Sequence, residues 1–218
     1  GGDRNLPRAL VTEKAFPENE AVLTTGVTGT GTKGVTNTVV YEHRLKSRSQ
    51  YEIAIPINFQ QQTPGQPWGH GFGDMEVALR RVFYANTAHK AIVAAGGAVT
   101  LPTGSESEGL GGGVTIWEPF AMFGKGIGAH GFVQMHGGIE LPTNKSNALN
   151  ESFLRTAIGY SFAQERGIGR AWTPMTEILI AHPFGEATEV DVVPQMQISL
   201  SKLQHILFSV GARVPVTE

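Results

Sequence analysis

The chain has no cysteine among its 218 residues. That rules out a Cys/His metal pair and suits an oxidising compartment, where stray thiols are a hazard. No apolar run approaches the roughly 20 residues that a transmembrane helix needs. No segment sustains a helical period. Neither sign of charge dominates: 17 basic and 19 acidic residues leave a net charge of -2. A nucleic-acid face is strongly basic, so no nucleic-acid partner is expected. The 28 glycines and 12 prolines follow no period of three, which excludes collagen. There is no initiator methionine. The chain opens Gly1-Gly2, and a processed form is expected, its signal peptide already removed.

What is present is a period of two. In Val133–Leu141 the apolar or glycine set is Val133, Met135, Gly137, Ile139 and Leu141. The intervening set is Gln134, His136, Gly138 and Glu140. Alternation of this kind makes a strand with two different faces. Tyr51, Ile53, Ile55, Ile57 and Phe59 alternate likewise with Glu52, Ala54, Asn58 and Gln60. Eleven strand-like segments are expected, near 20–30, 35–46, 49–60, 72–84, 91–102, 112–124, 127–141, 151–163, 173–184, 189–202 and 204–216. Residues 1–19 are polar, carry Pro7 and Pro17, and are expected as an N-terminal arm. Residues 20–218 form the strand-bearing domain.

Two all-β architectures share this pattern. In a soluble sandwich or lipocalin-type barrel the apolar face points inward. In a membrane barrel it faces lipid and the polar face lines the lumen. Loop lengths favour the second. The gaps 61–71, 103–111 and 142–150 are long, while those after the fourth, sixth and tenth segments are short. Long loops at one end and short turns at the other mark an outer-membrane barrel, although the gap at 164–172 departs from the rule. With the long loops outside, the N-terminal arm lies in the periplasm. Bacterial barrels have even strand numbers, so eleven segments imply one counted too many or a closing strand beyond Glu218.

Gly71-Phe72-Gly73-Asp74, an alternating strand, and then Ala98-Val99-Thr100-Leu101-Pro102-Thr103-Gly104 resemble the signature of the outer-membrane family named for the phenol meta-degradation pathway. Gly138-Ile139-Glu140-Leu141-Pro142-Thr143-Asn144 and Val210-Gly211-Ala212-Arg213-Val214-Pro215 repeat its style. The resemblance covers residues 35–216. It implies an outer-membrane β-barrel that passes hydrophobic or aromatic compounds. This chain lacks the family's final aromatic strand.

Catalytic or metal chemistry finds little footing. His130 and His136 share a strand face but stand about 20 Å apart by strand rise. His70, His89, His182 and His205 are scattered, and no HExxH motif occurs. Gly109–Gly113 and Gly124–Gly128 precede no helix with Lys-Ser or Lys-Thr, so neither is a phosphate loop. Ser105 and Ser107 lack a nucleophile-elbow context. No catalytic residue, cofactor or metal is expected. The expected architecture is an antiparallel, up-and-down transmembrane β-barrel of about 10–12 strands. Its candidate lumen-lining residues are Asp74, Glu76, Arg80, Gln134, His136, Glu140, Arg155, Gln195, Gln197, His205 and Arg213. Trp68, Trp117, Trp172, Tyr51, Tyr84 and Tyr160 are expected in interfacial girdles or in aromatic packing. The expected function is a bacterial outer-membrane channel for small, hydrophobic or aromatic solutes, with the lipid bilayer as partner. Two alternatives stand beside it. One is a structural barrel without transport, its sheet completed by another chain. The other is a soluble, lipocalin-like ligand-binding barrel.

Overall fold

A computed structural model describes residues 6–29, 33–61, 63, 67–163, 171–201 and 206–217. β-Branched and aromatic side chains fill alternate positions and favour extended backbone. Among the described residues fourteen strands result: β1 (Glu20–Thr28), β2 (Gly34–Leu45), β3 (Ser49–Gln60), β4 (Gly69–Phe72), β5 (Met75–Asn86), β6 (Ala91–Leu101), β7 (Ile116–Ile127), β8 (Gly131–Pro142), β9 (Glu151–Tyr160), β10 (Phe162–Ala163), β11 (Ala171–Pro183), β12 (Glu189–Ser199), β13 (Leu207–Gly211) and β14 (Val214–Pro215). One 3-10 turn, Glu106–Glu108, lies in the loop after β6. Left-handed backbone closes tight turns at Lys46, Lys90, Gly128 and Gly185.

The protein is all-β, and its sheet is antiparallel and up-and-down. The main path runs β1-β2-β3-β5-β6-β7-β8-β9-β11-β12-β13, while β4 adds to β3, β10 to β11 and β14 to β12. Those eleven path strands follow the eleven expected segments. The differences are local. The segment expected at 72–84 is broken at Gly73-Asp74, so Phe72 belongs to β4. The start expected near 112 moves to Ile116 because the preceding loop has its own folded structure. Among the described residues the sheet is not closed: β1 pairs only with β2, and β13 only with β12.

The two faces differ as the alternation requires. On one, Leu23, Val39, Leu79, Phe83, Trp117, Leu154, Ile158, Ile178, Phe208 and Val210 are exposed. On the other, Glu42, Gln50, Glu52, Arg80, Gln134, His136, Glu177, Gln195 and Gln197 are buried. The apolar set therefore points outward and the charged set inward.

The inner face is covered by the N-terminal segment. Residues 6–19, expected as an arm beyond the sheet, run along its polar face. Arg8 ties the two ends of the sheet together. Its guanidinium bonds Glu42 of β2 at 2.5 Å and Glu20 of β1 at 3.2 Å, while its carbonyl accepts from Gln197 of β12 at 2.8 Å. The sheet is thus curved around the arm. Apolar side chains fill the inner face towards the turns 87–90 and 128–130. Ala15 and Phe16 pack with Val82, Ile92, Ala94, Phe120 and Met122. Ala9 and Leu6 pack with Phe132, Ala157 and Met175.

Candidate functional site

The inner face is where chemistry-bearing side chains converge. Period-two placement sends Glu76, Ala78 and Arg80 of β5 inward between exposed Val77 and Leu79. The same parity turns Gln134, His136 and Glu140 of β8, Arg155 of β9, and Gln195 and Gln197 of β12 to that face. Eight of the expected lumen residues therefore share one side of the sheet. Asp74 does not belong with them, and Arg213 reaches the same face at its open edge, lining a cleft with Val11 and Arg155. Asp74 precedes β5, and its carboxylate accepts the backbone N–H of Gly104 at 2.9 Å and of Gly112 at 2.7 Å. It anchors a loop and lines no wall. Arg213 is 61% exposed and pairs with Asp191 through Nε at 2.7 Å. His205 lies outside the described residues.

The arm supplies most partners of the wall. Gln134 donates to the carbonyl of Pro7 at 2.7 Å. The backbone N–H groups of Leu10, Val11 and Thr12 converge on the Glu177 carboxylate at 3.1, 3.1 and 2.5 Å. Leu10 N–H also reaches the side-chain carbonyl of Gln195 at 3.1 Å. Successive amides cupping an anion form a nest, with the anion here supplied by the wall. Gln50 accepts the N–H of Glu18 at 2.6 Å. Arg80 bonds Glu13 at 2.9 Å and lies 3.3 Å from Glu42 and 3.5 Å from Glu52. Lys14 meets Glu18, and Glu20 at 3.2 Å.

Charge in this enclosed space is balanced by pairing, as burial demands. Burial raises the Glu18 carboxyl above the usual carboxylate range, against the opposing pull of Lys14. For Arg8, burial opposes the charge, but Glu42, Glu20 and Glu13 outweigh it and hold the guanidinium protonated. Two carboxylate triads could offer ligands to a metal, Glu13/Glu52/Glu76 and Glu18/Glu20/Glu42, with oxygens within 4.8 Å of one another. Arg80 already reaches two carboxylates of the first, while Lys14 and Arg8 reach all three of the second. The chain's own cations thus already pair with five of these six carboxylates.

His136 stands apart from the network. Its ring lies edge-on to Phe120 and Phe153, each centroid 5.1 Å away. Among the described residues neither ring nitrogen has a hydrogen-bond partner, and Nε2 is 3.9 Å from a Glu118 oxygen. It behaves as an aromatic spacer in the wall.

The two glycine-rich signatures meet in space. Thr103 Oγ1 donates to the Gly73 carbonyl at 3.0 Å and accepts the Met75 N–H at 2.9 Å. Together with the Asp74–Gly104 bond this clasps the loop 102–115 to the start of β5. Asn58 donates to the Leu110 carbonyl at 3.2 Å, and Leu110 is buried. The loop thereby folds inward over its end of the sheet.

Aromatic side chains gather at two levels of the outer face. Tyr41, Tyr84, Tyr160, Phe162 and Trp172 are exposed near the strand ends that carry the short turns. Phe59, Trp68, Phe72, Trp117 and Phe184 are exposed near the opposite ends. Aliphatic Leu23, Leu79, Leu154, Ile158 and Ile178 lie on the same face.

Sequence reasoning missed Glu42, Gln50, Glu52 and Glu177, all buried on the inner face. Parity alone marks Glu52 and Gln50, opposite Tyr51 and Ile53. For Glu177, the alternation with Thr176 and Ile178 is the available signal. Nothing in the sequence marks its partners in the arm, which are backbone groups. Compared with known proteins, the chain matches no family model and no curated protein.

Proposed function

We propose that the protein is the wall of an outer-membrane β-barrel through which small, hydrophobic or aromatic solutes pass. One observation carries this. Apolar side chains are exposed all along the outer face, between two levels of aromatics, while charges and amides are enclosed. A monomer in water rarely exposes a contiguous apolar surface of this extent. In lipid the same surface is the solvated one, and aromatic girdles belong at both interfaces. The short signatures at 71–74 and 98–104 add the family resemblance. A lipocalin-type barrel has the opposite polarity and gains no support from these faces.

Closure needs one more element. The edge strands β1 and β13 run in the same direction, because they stand ten antiparallel steps apart on the main path. One strand antiparallel to both would complete a barrel of twelve, an even number. The same open edges, with the arm filling the inner face, favour a second reading: a scaffold barrel completed by another chain, without passage of solute.

Detergent extraction with heat-modifiable gel migration tests the membrane reading, and full solubility in detergent-free buffer would sink it. Conductance in planar bilayers then separates channel from scaffold. A folded, inserted barrel that conducts nothing removes the solute-passage claim.

A further inference from the structure

We propose that residues 6–19 are a releasable plug, held by the wall as a self-ligand, whose departure opens the inner side of the sheet. The proposal rests on the membrane-barrel reading and deepens it. The character of the grip carries it. Gln134 and Gln197 donate to the carbonyls of Pro7 and Arg8, Gln50 accepts the N–H of Glu18, and Glu177 gathers those of Leu10, Val11 and Thr12. Much of the wall's hold on the arm is through its backbone, where water can replace the bonds at small net cost, and Arg8, Glu13 and Lys14 add ion pairs. The arm's members of the two apolar clusters are Leu6, Ala9, Ala15 and Phe16, two of them alanines, with Pro17 buried and Leu10 packed at Gly211 beside them.

A second observation bears on what release leaves behind on the wall. Arg80 keeps Glu42 and Glu52, Glu177 keeps the Gln195 amide at 2.5 Å, and Gln197 keeps Ser209 at 3.2 Å. Much of the wall network keeps a wall partner when the arm leaves, while Glu20, its side chain 22% exposed, exchanges Arg8 and Lys14 for water. An element with two satisfied arrangements is what a switch requires. The ligand class follows from the contacts: an extended polypeptide with a cation at the place of Arg8 and free N–H groups at 10–12.

The lack of cysteine makes the test clean, since a single introduced thiol is the only one. Thr12→Cys places it at a residue only 1% exposed, and Ser146→Cys in an exposed loop gives the reference rate. Both are made in the full chain, reconstituted in lipid vesicles and checked for heat-modifiable migration. With a small water-soluble maleimide, Thr12→Cys should react about a hundredfold more slowly than Ser146→Cys, as a segment that opens only locally does. Adding Glu177→Gln removes the charge that three amides share. It should raise the Thr12→Cys rate about tenfold, and the frequency of conductance events with it.

A lock gives the converse. A Cβ at Gly124 would lie 2.8 Å from Leu6 Cδ1, so Leu6→Cys with Gly124→Cys can be oxidised to pin the arm. Oxidation should abolish conductance and reduction restore it in the same molecules. Conductance indifferent to this crosslink overturns the plug alone. Thr12→Cys labelling as fast as that of Ser146→Cys overturns it too. Labelling that rises with Glu177→Gln while no variant conducts sinks the solute-passage reading and leaves arm release standing.

Discussion

Gly96 shows how little room the inner face leaves at one residue. A Cβ there would lie 2.2 Å from the Leu79 carbonyl oxygen and 2.8 Å from the Phe120 ring. The first of these is backbone and cannot swing away. Gly96→Ala should therefore cost at least the about 1–3 kcal/mol typical of overpacking. A lowered midpoint in denaturant titration of the folded protein checks it, and an unchanged midpoint would mean that β5 and β6 do not approach so closely. Asp74 makes a different point. Its two bonds to Gly104 and Gly112 clasp a loop whose ends it does not belong to. Asp74→Ala should leave the sheet intact and expose residues 104–112 to limited proteolysis. Asn keeps the acceptor oxygen and should restore part of the protection. Asp74 was legible as a member of a signature but not as a clasp. Strand parity extended backwards from Glu76 puts it on the wall, whereas Gly73-Asp74 actually breaks the strand.

At the scale of an element, β9 presents the sharpest contrast between neighbours. Ala157 is wholly buried on the inner face, and Ile158 is 52% exposed on the outer one. Ile158→Arg in a lipid-embedded barrel should cost about 2–4 kcal/mol at mid-membrane and still fold. Ala157→Arg, forced against Phe132 and Met175, should prevent folding. Heat-modifiable migration of the two variants reads the difference, and the reverse order would mean the faces are assigned backwards. The strands themselves were legible because a period of two survives any packing. The direction of each face came from the loop lengths instead, since alternation itself has no sign. It is fixed by what covers the polar side, here the arm. The break at 164–172 in the loop-length rule falls largely on residues outside those described.

For the whole molecule, ionic pairing links the arm to three strands: Arg8 and Lys14 to β1, Arg8 to β2, and Glu13 to β5. Partly enclosed pairs are screened less than surface ones but still respond to salt. Raising ionic strength should speed labelling of Thr12→Cys, and Arg8→Ala should abolish most of that salt dependence. A salt response undiminished in Arg8→Ala would place the ionic hold elsewhere. The arm was the least legible part of the sequence. Pro7, Pro17 and mixed polarity read as a linker, because a segment gripped through its amides and carbonyls needs no side-chain pattern of its own.

That arm also imposes an order in time. Leu10 bonds Gln195, and Arg8 bonds Gln197, across separations of 185 and 189 positions. Residues 8–10 wait for residues 195–197, synthesised long after them, before these contacts exist. Loop closure on that scale is slow and makes topology rate-limiting. The seating of residues 8–10 is accordingly a late event relative to the local strand pairings, and it marks a sheet in which β12 has found its register.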